Sequence, residues 1–177
     1  EGIIIAVKPY NYADVVKELR TVLNQKKHLV VSVITGVWIV DLQAAIGKPV
    51  PVIRAMPNTA IAIQQSMTCL AHNGATDAQI NYIQQLFEQL GKTVIINEKL
   101  MDAATVLGAC GTAYAMRYIR ANIQGGIEIG FDAPTAALIA AQTVNGAAEL
   151  LLQKGTHPEQ EIDKVTTPMG CTIAGLN

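Results

Sequence analysis

Short apolar runs alternate with helical stripes over the first hundred residues. IIIAV (3–7) and LVVSVI (29–34) are β-branched runs of the kind used by parallel strands covered on both faces. Between them, DVVKELRTVL (14–23) puts Val15, Leu19, Val22 and Leu23 on one helical stripe. Residues 37–46 predict a short helix stopped by Gly47 and Pro49. PVIRAM (51–56) reads as strand again, with Pro51 at its edge, and SMTCLAH (66–72) alternates weakly. DAQINYIQQLFEQL (77–90) aligns Ile80, Ile83, Leu86, Phe87 and Leu90 on one side of a helix, with Gly91 as its stop. KTVIIN (92–97) closes the pattern. Strands joined by helical crossovers predict a mostly parallel sheet with helices on both faces.

The second half has a different pattern. Residues 100–130 read as one long helix or two, rich in Ala and Gly. Gly108 and Gly111 each cost a helix about 1 kcal/mol, so a kink, a close crossing or a small pocket is expected there. Gly125 and Gly126 are expected to loosen or interrupt the helix again. Pro134 opens a second long helix (133–155) ended by Gly155, and Pro158 opens a short one (157–165). TTPMGCTIAGLN closes the chain, with a further helix expected to begin near Thr172. Free N–H groups at a helix start can hold a carboxylate; a capped loop that binds nothing is the plainer alternative.

Parallel sheets of this kind bind ligands beyond the C-terminal ends of their strands. Three such ends stand out: Lys8-Pro9, Thr35-Gly36 and Met56-Pro57-Asn58-Thr59. Each alone is ordinary turn chemistry; together they make a rim against which a flat cofactor can lie. The glycine-rich G-x-G-x-x-G loop that holds a pyrophosphate is absent from this half.

Composition narrows the classes further. Thirteen basic and fourteen acidic side chains among 177 residues leave a net charge of -1, with no basic block, so a nucleic-acid footprint is not expected. Cys69, Cys110 and Cys171 are widely spaced and form no C-x-x-C, which favours a reducing, cytoplasmic setting. His28, His72 and His157 are equally scattered, so no metal site is expected. No uninterrupted apolar run reaches membrane-spanning length, and no membrane partner is expected.

AVKP (6–9), IRAMPNT (53–59), MDAATVLGACGTAY (101–114), AAQTVNGAAELL (140–151) and HPEQEIDKVTTPMGCTIAGL (157–176) form an ordered series. Along essentially the whole chain this series resembles the pyrroline-5-carboxylate reductases. TTPMGCTIAGL is its most specific part. The resemblance implies an α/β fold: a partial Rossmann-type parallel sheet over 1–97, followed by an all-helical dimerisation and substrate-binding domain over 98–177. It implies reduction of the cyclic imine 1-pyrroline-5-carboxylate to proline with NADPH or NADH, and a homodimer or ring of dimers. By resemblance, Val7, Lys8, Pro9, Met56, Pro57 and Asn58 line the cofactor site. Thr167, Gly170, Cys171 and Thr172 bind substrate, with Thr172 on the reacting nitrogen as the catalytic contact. Gly111, Ala113 and Tyr114 belong to the motif that starts the interface helix. The resemblance also makes this an internal portion, with a first strand and glycine-rich loop before Glu1 and a last helical stretch after Asn177.

The chain departs from the family pattern in two places. Residues 107–114 read L-G-A-C-G-T-A-Y where L-S-G-S-G-P-A-Y is usual, and Met169 stands where glycine is common. These changes keep a second expectation open, a non-catalytic dimerisation or regulatory module of the same ancestry. A hydroxyacid-type dehydrogenase is a third. Such enzymes usually carry a catalytic lysine on the helix after a glycine pair, and here only Arg117 and Arg120 follow.

Overall fold

A computed structural model describes residues 1–177. The elements run β1 (Gly2–Ile5), α1 (Tyr12–Val22), β2 (Leu29–Ser32), α2 (Ile39–Ile46), β3 (Val52–Met56), β4 (Ser66–Asn73), α3 (Asp77–Glu88) and β5 (Gly91–Ile95). The helical remainder is α4 (Met101–Ala104), a π-helical segment (Thr105–Cys110), α5 (Gly111–Glu128), α6 (Ala133–Lys154), α7 (Pro158–Val165) and α8 (Cys171–Leu176). Two compact units divide the chain, Glu1–Tyr114 and Ala115–Asn177.

The sheet has strand order β1-β2-β3-β4-β5. β2 and β3 lie inside it and every residue of both is buried, whereas the β-branched run expected to be covered on both faces at β1 forms an edge strand in which only Ile5 is buried. Alternation then sorts the side chains by face. Val30, Val52 and Ile5 pack against Val16 of α1 and Ile39, Leu42 and Ile46 of α2. Val31, Ile53, Ala55 and Leu70 pack against Ile80, Ile83 and Phe87 of α3. Local signals hold the helices where the pattern puts them. Thr76 and Gln79 form a reciprocal capping box at the start of α3. Gly47 ends α2 in the left-handed conformation.

One strand departs from the sequence expectation. β1, β2 and β3 are parallel, and so are β4 and β5, but β4 runs antiparallel to β3. The reason is the connection. Residues 57–65 hold only a 3-10 turn (Thr59–Ile63) with Gln64 at φ +60°, which reverses the chain without a crossover helix. The sheet is therefore mixed.

The glycines of the long helices are a second departure. α5 continues through Gly125 and Gly126 to Glu128. At Gly126 an added Cβ would stand 3.1 Å from Cβ of Ala136 in α6. The missing side chain thus permits a close helix crossing rather than a break. Asp132 caps α6 through Thr135, and those hydrogen bonds hold its carboxyl below the usual range. By length and composition alone, α6 is a helix that could cross a bilayer. Thr135, Gln142, Asn145 and Glu149 interrupt its apolar run.

Candidate active-site elements

The parallel pairing of β1, β2 and β3 carries their C-terminal ends to one rim. The register sets Ile5 beside Ser32 and Ser32 beside Arg54, so the residues that follow each strand emerge side by side. Val7, Lys8 and Pro9 leave β1 there, and Met56, Pro57 and Asn58 leave β3. Lys8 and Pro9 are exposed, Val7, Pro57 and Asn58 are half-buried, and Met56 is enclosed. Thr35 and Gly36, the latter at φ +76°, are exposed at the end of β2. Pro57 also lines an open apolar groove of about 300 Å³ with Ile4, Val33, Ile61 and Leu86.

Asn58 has a duty that the sequence did not disclose. Its Oδ1 accepts from the N–H of Ala60 at 3.1 Å, which caps the 3-10 turn. Its Nδ2 donates to the carbonyl of Gly108 at 3.1 Å. Its own N–H donates to Oγ of buried Ser66 at 3.2 Å. Gly108 lies in the π-helical segment, whose wider turn shifts the regular i to i+4 pairing and leaves carbonyls for outside donors. Asn58 therefore ties the rim to residues 105–110. Asn58→Ala removes both side-chain bonds and is expected to cost about 1–3 kcal/mol. Asn58→Asp keeps the acceptor for Ala60 but sets a carboxylate against the Gly108 carbonyl. Amide exchange over 105–110 should quicken in both variants, while Ala60 loses protection only in the alanine one.

A second arrangement missed from the sequence lies one residue pair further back. Arg54 is buried on β3, and its Nη1 donates to Oε1 of Glu98 at 3.0 Å. That same oxygen accepts from the N–H of Ile39 at 2.7 Å. Across from Met56, Cys69 is buried, and burial pushes its thiol up, which keeps it an inert core residue.

The residues Thr167, Gly170, Cys171 and Thr172 fall in the second unit. Thr166 ends α7 and turns its hydroxyl back onto the carbonyl of Ile162 at 2.8 Å. The N–H of Gly170 donates to the carbonyl of Thr167 at 3.0 Å, closing a four-residue turn. Met169, at the third position, has φ +61°. Proline cannot take a positive φ at the second position, so this is a type II turn with methionine in the place that favours glycine. Met169 is fully exposed. α8 begins at Cys171 with Gly170 as its N-cap, one residue earlier than expected. The Gly170 N–H is thus engaged within the turn. Ala174 is already bonded to the Gly170 carbonyl, which leaves the N–H groups of Cys171, Thr172 and Ile173 free in the first turn. Thr172 is half-buried, and Thr167 and Cys171 are exposed.

Residues 98–177 match a family profile described as pyrroline-5-carboxylate reductase dimerisation. Pyrroline-5-carboxylate reductase 1 of Dictyostelium discoideum is 46% identical over 99% of this chain, which corresponds to 34% of that protein. Pyrroline-5-carboxylate reductase 2 of the same organism is 39% identical over 99% of the chain and 63% of its own length. The chain thus spans between a third and two thirds of these relatives. Among solved structures, a pyrroline-5-carboxylate reductase from Coxiella burnetii superposes with a TM-score of 0.92 at 29% identity, over 99% of this chain and 66% of that one. The Plasmodium falciparum pyrroline carboxylate reductase, solved with NADP bound, gives 0.89 at 26% identity over 98% and 70%. The ordered motifs, the sheet followed by helices, and these likenesses along nearly the whole chain agree: the chain belongs to the pyrroline-5-carboxylate reductase family.

Proposed function

We propose that the protein reduces 1-pyrroline-5-carboxylate to L-proline with NADPH or NADH, and that this chain supplies the nicotinamide-side rim and the substrate loop. The observation that carries the reading is that a member of this family holds both a strand-end rim (Val7–Pro9 and Met56–Asn58) in its first unit and a type II turn and helix start at 167–172 in its second. The rim fits a dinucleotide in kind. It offers an exposed lysine for ribose or phosphate, and half-buried Val7 and Pro57 for a flat ring. A reduced nicotinamide supplies the hydride.

What remains for the protein is modest. A protonated imine already attracts hydride, so orientation dominates, and it is worth several kcal/mol. In this reading the free N–H groups of Cys171 and Thr172 take the substrate carboxylate, Thr167 borders the ring, and the Thr172 hydroxyl bonds the nitrogen. No strong general acid is required, in contrast to a ketone reductase. The apolar side chains left open on the second unit, Leu138, Ile139, Leu150 and Leu152 of α6 among them, support a helical homodimer rather than a bilayer as the setting for that helix.

The test is imine-dependent oxidation of NADPH and NADH by the complete protein. Thr172→Ala should lower kcat/KM by roughly 10²-fold, mostly in kcat, with an unchanged melting temperature. A complete protein that binds neither nucleotide nor imine would instead be the non-catalytic module.

A further inference from the structure

Arg54 is the largest fully enclosed side chain in the molecule, at 1% exposure, and it sits mid-strand among Val52, Ile53, Ala55 and Met56. Its Nη1 has Glu98, but Nε and Nη2 are buried without any partner. Its guanidinium carbon lies 5.9 Å from the centre of the Trp38 ring, within cation–π range. Trp38 is the N-cap residue of α2 and provides no side-chain cap. Glu98 provides it instead, through the N–H of Ile39. One carboxylate oxygen therefore holds both the guanidinium and the helix start, and the guanidinium braces the ring just before that start.

As a stabilising device this is poor. A buried ion pair with two unsatisfied N–H groups loses more on desolvation than the pair returns, and an apolar side chain of similar volume would pack at least as well. What a planar guanidinium does supply is fixed geometry. Thr35, Gly36 and Val37 form the short turn between β2 and Trp38, and this turn stands on the rim beside the end of β3. We propose that Arg54 is a positioning residue: with Glu98 it fixes Trp38 and the Thr35–Gly36 turn, and so shapes the part of the rim on which a dinucleotide lies. Its functional consequence rests on the reading given under Proposed function.

Trp38 is the sole tryptophan of these 177 residues, so its fluorescence, taken as the difference from a Trp38→Phe variant, reports the brace. The decisive variant combines Arg54→Met with Glu98→Gln, which removes both charges, keeps the volume and leaves an acceptor for Ile39. In the complete protein it should melt at or above the wild-type temperature. Trp38 should become more accessible to acrylamide and faster in anisotropy decay. NADPH affinity by calorimetry should fall about tenfold. Arg54→Lys, which keeps the charge but not the fork, should loosen Trp38 and weaken NADPH in the same sense. A double variant that fails to fold makes the pair a stability device and overturns the proposal. So does a folded variant with unchanged Trp38 quenching, or with unchanged NADPH affinity. Failure of the wild-type protein to bind NADPH overturns the functional reading itself, and the Trp38 measurement then decides the brace alone.

Discussion

Gly91→Ala is expected to destabilise the first unit by about 4–5 kcal/mol, a large share of the stability of a typical domain. Gly91 opens β5 opposite Ser66 with φ +140°, a conformation that side chains rarely adopt. A Cβ there would stand 2.1 Å from the carbonyl oxygen of Ser66, 2.4 Å from its nitrogen and 2.8 Å from its carbonyl carbon. All three are backbone atoms, so no rotamer change relieves the contact. Ser66 cannot retreat easily either. Its N–H is bonded to the carbonyl of Leu90, its hydroxyl accepts from Asn58 and shares a hydrogen bond with Thr68, and it is buried. The displacement would therefore run from β5 through Ser66 to the rim at Asn58. Gly155→Ala is the control. It too has a positive φ, of +64°, but nothing stands near its Cβ, so only a conformational cost of about 1 kcal/mol is expected. Urea denaturation of both variants separates the two effects. Similar midpoints would mean that the Gly91–Ser66 approach is not tight.

Gly91 also shows where sequence reasoning stopped short. As a helix terminator it was plausible, yet α3 ends at Glu88, and the glycine is required three residues later by a backbone of the neighbouring strand. Periodicity exposed what is local: the buried β-branched strand β2, the α3 stripe, the long helix opened by Pro134 and the short one opened by Pro158. It did not expose strand direction. The weak alternation of residues 66–72 is compatible with either sense, and the deciding factor is the short 3-10 connection with a left-handed Gln64. The charged residues Arg54 and Glu98 carry no local signal in the sequence for a related reason. Their pairing spans 44 positions and is invisible without the fold. Asn58 was legible as a rim residue through its motif, but the tie to Gly108 depends on a π-helical turn that no local pattern announced. The motif at 166–172 was the most legible segment, since T-P-x-G already spells a turn. The engagement of the Gly170 N–H in closing that turn was not.

The same turn carries the second large effect. Gly170→Ala is expected to lower kcat/KM for imine reduction by roughly 10²-fold and to destabilise the second unit by about 1–3 kcal/mol. Gly170 needs no unusual backbone, since its φ is -75°. Its demand is steric: a Cβ would stand 2.4 Å from Oγ1 of Thr167 and 3.0 Å from the Thr167 carbonyl oxygen. The hydroxyl can rotate away, but the carbonyl is the acceptor that closes the turn. Opening it would shift Thr167 and tilt the free N–H groups at the start of α8. Thr167→Ala combined with Gly170→Ala should recover part of the stability, because only the hydroxyl contact is removed, while activity stays low. Met169 obeys the opposite rule. Its side chain is wholly exposed and meets nothing, but its φ of +61° is strained for a residue with a Cβ. Met169→Gly removes that strain at some gain of unfolded-chain entropy, so folding should stay within about 1 kcal/mol of wild type and kcat/KM should be kept or raised. Two adjacent positions in one turn, one limited by space and the other by backbone angle, should thus respond in opposite directions. Equal losses at both, measured by steady-state kinetics with thermal melts, would mean that the turn is not the element that orients the substrate.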